Sequence, residues 1–374
     1  LEFRRVLFRS TFQSFTGAAN GGLAPAWEAS FTGYSNINPP IVAELDGDPT
    51  DGGRPEFAFV SLTNVWVFNA DDGSLRVKLA NVLKSHCQDH LEAIDVDGDG
   101  ARELLVIGRR TYSRSLTLLD VAREQVVWKL EWLPTSESGL NNPVQPLADL
   151  DGDGKPELVV GVFNDRELEQ DAAGTAGDHD GVNQPGVWSL IVLDLATGKA
   201  KASVPGWQPR ALGDLDGDGR AEILASKAPA EIAGSPRMAD IGLFRLEQEG
   251  LQLLGQVERA VILETRWDQP AHLSDLTLTK PLMAVPGRAG QPSFVLLRDT
   301  DDDEVEDHLE RYQLVGNSLQ REDFQPLHAG TQTSGLFSVP AGEVGPGGAE
   351  LLLARGDGEL ELRGRDLAVL GAFA

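Results

Sequence analysis

The sequence predicts an all-β fold built from repeated four-stranded units, and three observations carry that expectation. A short acidic stretch recurs almost unchanged as Asp95-Val-Asp-Gly-Asp-Gly-Ala-Arg-Glu103, Asp149-Leu-Asp-Gly-Asp-Gly-Lys-Pro-Glu157 and Asp214-Leu-Asp-Gly-Asp-Gly-Arg-Ala-Glu222. Apolar runs of strand length and β-branched character flank each copy, whereas helical periodicity is weak throughout. The repeat step runs from about 50 to 70 residues, the size of one four-stranded blade.

Taken in order, the first unit starts near Pro40 with Glu44, Asp46 and Asp48, then a four-residue insertion around Pro49 before Glu56. The next three units start near residues 91, 144 and 209 and carry the intact stretches. In the third unit the expected strands are Val144–Ala148, Glu157–Val162, Val187–Leu193 and Ala200–Val204, with Ala196-Thr-Gly198 as the last turn. The fifth and sixth units, near 281 and 336, keep the outline but have lost the carboxylates, so the Ala284–Ser293 and Gly342–Glu350 loops are expected to be metal-free. Ala24–Phe31 falls outside these six units. It matches Val126-Val-Trp-Lys-Leu130 and reads as the fourth strand of an earlier unit, which would make a seventh blade in the intact protein. The first ten residues, Leu1–Ser10, do not join the pattern and read as a translated adaptor remnant, with the true N-terminus missing.

The acidic spacing suits a hard cation. Alternate residues of a tight loop turn their side chains toward one centre, and the glycines permit backbone angles that a β-carbon forbids. An oxygen-only donor set fits calcium, which takes six to eight oxygens; magnesium, stricter in geometry and reluctant to lose water, fits less well. The assigned side-chain ligands are Asp95, Asp97, Asp99 and Glu103; Asp149, Asp151, Asp153 and Glu157; and Asp214, Asp216, Asp218 and Glu222. The carbonyls of Ala101, Lys155 and Arg220 are the backbone ligands. A solvated acidic turn is the other reading. Two carboxylates ~4 Å apart repel by about 4 kcal/mol at an intermediate dielectric, so packing four together three times over favours a cation. Glu44, Asp46, Asp48 and Glu56 form a further candidate site. So do Asp299, Asp301, Asp303 and Asp307, which repeat the spacing without the glycines in a second-to-third strand loop.

A formal charge of −26 argues against nucleic acid, whose phosphates need a basic surface, and against anionic membranes. Cys87 is the only cysteine, so no intrachain disulfide exists. No apolar run approaches the ~20 residues of a membrane-spanning helix.

The repeated Asp-x-Asp-Gly-Asp-Gly-x-x-Glu-Leu, set in strand-like units of this length, resembles the FG-GAP/VCBS repeat family over most of residues 24–374. The family includes the propeller of integrin α subunits and many bacterial surface and secreted proteins. The resemblance implies a β-propeller with calcium in the loops between the first and second strands of its blades, and it implies the same ligand positions.

Blade strands alternate in direction, so these regular loops share one face with the third-to-fourth turns, and the long irregular loops share the other. Long loops are where binding residues concentrate. Asn164–Pro185, acidic and glycine-rich, and Lys227–Met238 read as surface loops on that variable face. His86, Cys87 and His90 make a weak transition-metal signal. Arg109, Arg110 and Arg114 would suit an anionic sugar but read better as solvated charges. Trp27, Trp66, Trp128, Trp132, Trp188, Trp207 and Trp267 sit at strand positions, where blade packing accounts for them. The function expected is non-enzymatic: a calcium-stabilised scaffold, extracellular, cell-surface or periplasmic, that binds a protein or glycan partner on the variable face. The alternative is a carbohydrate-active enzyme, a polysaccharide lyase-like propeller with convergent acid and base groups on that face.

Overall fold

The computed structural model describes residues 9–17, 23–32, 40–48, 52–61, 63–82, 90–108, 115–131, 139–143, 145–164, 187–228, 238–261, 282–286, 292–301, 305–327, 333–338, 351–355, 359–364 and 366–373. Among them there are strands and turns and no helix. Two compact units can be distinguished, one drawn mainly from residues up to Ser138 and the other mainly from Gly139 onward.

The first unit opens with a hairpin of β1 (Arg9–Gly17) and β2 (Leu23–Thr32). Its register pairs Arg9 with Thr32 and Ser10 with Phe31, so the strand takes in two residues of the adaptor-like segment. Two four-stranded sheets follow. The first blade holds β3 (Ile41–Ala43), β4 (Glu56–Ser61), β5 (Asn64–Asn69) and β6 (Leu75–Leu79). The second holds β7 (His90–Ile94), β8 (Glu103–Gly108), β9 (Ser115–Asp120) and β10 (Gln125–Glu131).

The second unit contains four blades. The third blade holds β11 (Gly139–Asn141), β12 (Leu147–Ala148), β13 (Glu157–Asn164), β14 (Val187–Asp194) and β15 (Ala200–Pro205). The fourth holds β16 (Trp207–Gly213), β17 (Glu222–Lys227), β18 (Met238–Glu247) and β19 (Gly250–Val261). The fifth holds β20 (Leu282–Pro286), β21 (Pro292–Arg298), β22 (His308–Val315) and β23 (Ser318–Pro326). The sixth holds β24 (Thr333–Ser338), β25 (Leu351–Arg355), β26 (Leu360–Arg363) and β27 (Val369–Phe373). In every blade each strand pairs antiparallel with the next in the chain, except that in the third β11 and β12 both pair with β13; a single pair, Ala260 with Arg298, also bridges the fourth and fifth sheets.

One strand departs from the sequence reading. The strand expected over Val144–Ala148 is met by the two-residue β12, and a separate short strand, β11, precedes it; both pair with β13. Pro143 and Pro146 both lie in the gap between them, and a proline has no N–H to give to a ladder.

Burial grades across each blade and explains why these sequences take these places. The second strands β4, β8 and β17 are near-continuous apolar runs with almost every side chain buried, because both of their faces are covered. The fourth strands β6, β10 and β15 are mostly exposed or alternate, as the outer edge of a sheet requires. Within each unit the first strands of successive blades are neighbours, β3 with β7 and β12 with β16, β20 and β24 in turn. In the second unit the outer strands β15, β19 and β23 likewise neighbour one another. Inner strand against inner strand is the stacking of propeller blades.

The cores lie between consecutive blades. Leu45, Val60 and Val67 meet Leu104, Val106 and Leu119. Leu150, Val159 and Val192 meet Ile223 and Phe244. Leu224 and Leu243 meet Phe294 and Tyr312, and Val295 and Leu309 meet Leu351 and Leu353. The hairpin strand β2 packs on the first blade the same way, through Ala29 and Phe31 against Phe57, Phe59 and Trp66.

Candidate metal centre

All four acidic loops join a first strand to a second, at equivalent places in their blades. The three intact copies fold alike. Gly98 and Gly100, Gly152 and Gly154, and Gly217 and Gly219 all have φ between 78° and 95°, in the left-handed region that glycine enters freely. That curl brings two backbone N–H groups onto the leading aspartate. Asp149 Oδ1 accepts from Gly152 at 2.7 Å and Oδ2 from Gly154 at 2.8 Å. Asp95 and Asp214 do the same. The fifth-position aspartate accepts the N–H of the seventh residue: Asp99 from Ala101, Asp153 from Lys155 and Asp218 from Arg220.

The closing glutamates hold the loop base. Glu56, Glu103, Glu157 and Glu222 are at most 4% exposed. Each Oε2 accepts the N–H of the loop's second residue, at 2.7 Å from Leu45, 2.8 Å from Val96 and Leu150, and 2.9 Å from Leu215. Burial raises the pKa of each. Glu56 is pushed up to about 7 by burial, partly offset by the Leu45 N–H and reinforced by the charges of Asp46 and Glu44. Burial likewise raises Glu103, Glu157 and Glu222, with Asp97, Asp151 and Asp216 adding to it.

The carboxylates converge, though never all four of a loop together. Glu44, Asp46 and Glu56; Asp95, Asp97 and Asp99; Asp149, Asp151 and Glu157; and Asp214, Asp216 and Asp218 each place oxygens within 4.8 Å of one another. Asp48 is not a member of that group, and its N–H donates to Asp46 Oδ1 at 2.9 Å. A donor set of carboxylate oxygens alone matches a hard divalent ion.

Four basic residues that sequence reasoning missed complete these loops. Arg76 pairs with Asp46 at 2.7 Å. Arg123 reaches Asp97, Asp99 and Asp120. Lys201 Nζ lies 2.8 Å from Asp151 Oδ2 and 2.6 Å from Glu157 Oε1. Arg245 joins Asp216 to Glu222. In two of these loops a cationic nitrogen therefore already stands between the third and ninth carboxylates. Burial alone would lower the Lys201 pKa, but its two carboxylate partners outweigh burial and raise it. The Lys201 hydrogen bond is the main cause of a lowered pKa at Asp151. A sequence signal exists for two of the four: Gly73-Ser-Leu-Arg76 and Gly198-Lys-Ala-Lys201 set a basic residue three places after the glycine of the last turn.

The acidic stretch at Asp299–Asp307 connects β21 to β22, the second-to-third position expected, but its chemistry differs. Asp299 is fully buried and pairs with Arg259. Asp307 accepts the Thr300 N–H at 3.0 Å and lies 2.9 Å from His308 Nδ1. Asp301 is exposed. Among the described residues no metal-sized group of carboxylates forms there. Asp303, His86, Cys87, Arg109, Arg110, Arg114, Trp132 and Trp267 lie outside the described residues, as do most of the Asn164–Pro185 and Lys227–Met238 loops and of the two loops expected to be metal-free. Trp66, Trp188 and Trp207 serve packing, against Phe68, Phe163 and Phe244. Among the described residues no helix is long and apolar enough to cross a membrane.

No family model matches the chain, and no curated protein does. Among solved structures it is similar to Sqt1 of Saccharomyces cerevisiae, at 8% identity and a TM-score of 0.48 over 97% of this chain and 79% of that one. It is similar to the C-terminal WD40 domain of Sif2, at 8% identity and a TM-score of 0.47 over 95% of this chain and 75% of that one. It is also similar to a rhamnogalacturonan lyase of Bacillus licheniformis, at 13% identity and a TM-score of 0.38 over 88% of this chain and 59% of that one.

Proposed function

We propose that this chain is a calcium-stabilised propeller scaffold of the FG-GAP/VCBS repeat kind, which presents its second-to-third and fourth-to-first strand loops to a protein or glycan partner outside the cytoplasm. The observation that carries the metal is the fourfold recurrence, at one place in successive blades, of three carboxylates within 4.8 Å. Asp95, Asp149 and Asp214 would lead the three intact sites and Glu44 a fourth. Asp97, Asp151, Asp216 and Asp46 would supply the third-position oxygens, and the carbonyls of Ala101, Lys155 and Arg220 the seventh. Calcium supplies charge: it neutralises carboxylates that otherwise repel one another, and it ties a blade's first strand to its second. Sites of this type suit the high calcium outside cells. The scaffold role rests on the blades themselves, whose three intact motif loops share one length while the connections on the other face vary, from the tight turn between Ser61 and Asn64 to the long stretch between Asn164 and Val187.

The test is a thermal melt of the protein in calcium, in magnesium and in chelator, with metal content measured directly. Ligand binding to the folded state alone raises stability by RT ln(1 + [L]/Kd), about 2.7 kcal/mol at a hundredfold excess over Kd. A calcium-specific rise that Asp149→Ala diminishes is the expected result. Identical melts in calcium and chelator, with no calcium bound, would refute the proposal and leave the loops as metal-free turns.

A further inference from the structure

We infer that Lys201 and Arg245 are tethered counter-cations that compete with calcium for the 149–157 and 214–222 loops. The inference rests on the calcium reading above and deepens it. In both loops the third and ninth carboxylates have no oxygen left unengaged. Asp151 gives Oδ1 to the Asp153 N–H and Oδ2 to Lys201, while Glu157 gives Oε2 to the Leu150 N–H and Oε1 to Lys201. Asp216 and Glu222 are taken up the same way, by Asp218, Leu215 and Arg245. The loops of the first unit differ. Arg76 and Arg123 stop at aspartates, and among the described residues no basic group reaches Glu56 or Glu103.

The held nitrogens sit where a metal would draw in the same oxygens. Nζ-to-oxygen distances of 2.6 and 2.8 Å are only a little longer than calcium–oxygen bonds. Two positive charges cannot share that space without strong repulsion, so calcium enters only as the side chain swings off. Lys201 stands on the outer strand β15 and is part-exposed, with room to release. Arg245 is more deeply placed on β18 and releases less readily. The device gives a chain whose second unit holds its loops together without metal and loads calcium at a higher concentration than the first.

The experiment is calorimetric titration of the whole protein with calcium chloride, alongside melts in chelator and in saturating calcium, for the wild type, Lys201→Met, Lys201→Gln as a milder change, and Lys227→Met. The last removes the same charge from an exposed residue at the far end of β17, beside Asp240. Competition predicts that both Lys201 variants tighten one site by about tenfold, melt lower in chelator, and match the wild type in saturating calcium. Lys227→Met should leave that site within twofold or so of the wild type. A Lys201 variant that binds calcium no more tightly than the wild type, or melts lower even when saturated, overturns the inference while the calcium reading stands. Absence of calcium binding in the wild type and all variants overturns both.

Discussion

The backbone N–H of Ala221 donates to the carbonyl oxygen of Asp149 at 2.7 Å. Ala221 is the eighth residue of one acidic loop and Asp149 the first of the loop before it. The same bond joins Arg102 to Glu44 at 2.9 Å in the first unit. Within each unit, neighbouring loops are therefore fastened to each other backbone to backbone, at the residue that leads the candidate metal site. The 149–157 loop has Pro156 at its own eighth position and no N–H to offer there.

Ala221→Pro tests that fastening with little collateral strain, because the equivalent turn already accepts Pro156. Loss of the bond should cost about 1 kcal/mol in chelator. Urea unfolding with an unchanged m-value would measure it. A variant as stable as the wild type would mean the bond contributes nothing net.

Glu222 is buried against both the Leu215 N–H and Arg245. Glu222→Ala leaves the buried Leu215 N–H without its acceptor and Arg245 with Asp216 as its remaining carboxylate partner, and should destabilise the metal-free protein by about 2–3 kcal/mol. Glu222→Gln keeps an acceptor for the N–H and should cost less. Denaturant midpoints of the two variants, compared at one pH, settle the order; equal losses would count against the capping role.

Gly73 turns with φ +71°, and a β-carbon there would lie 2.5 Å from Cε3 of Trp27. Trp27 also donates its indole N–H to the Ala70 carbonyl at 2.9 Å. Gly73→Ala should cost about 2 kcal/mol from backbone strain and overpacking together. In the Trp27→Ala background the steric part should vanish. A double-mutant cycle giving strict additivity would mean that the β2 strand does not dock on the first blade in solution.

Glu56 gives a pH dependence with a definite sign. Its folded pKa is raised from 4.5 to about 7, so the folded state holds the proton more tightly than the unfolded chain. Stability in chelator should therefore fall as pH rises through that window and level off above it, by on the order of 2 kcal/mol. Glu56→Gln should flatten this part of the profile. Melts from pH 4.5 to 8 would show it, and a wild-type profile no steeper than the variant's would contradict the assignment.

The alternation of acidic loops and apolar runs determined, by itself, that this chain is all-β and built of four-stranded blades. The reason is local: a strand covered on both faces, such as Glu103–Gly108, must be apolar nearly throughout, and the curl at Gly152 and Gly154 needs glycine. The leading aspartates brace that curl for the same local reason, since the N–H groups they accept lie within five residues in the chain. The counter-cations were not. Lys201 is 44 residues from Glu157, and Arg245 is 23 from Glu222. Which basic side chain reaches a given loop depends on the strand that returns beside it, and that is a property of the folded sheet. Tertiary structure also decided the fate of Asp299, whose motif-like spacing ends with its buried carboxylate paired to Arg259 from the preceding blade, and the break between β11 and β12 at Pro143 and Pro146. Spacing along a chain fixes what a tight turn can do; only packing fixes which distant charge comes to meet it.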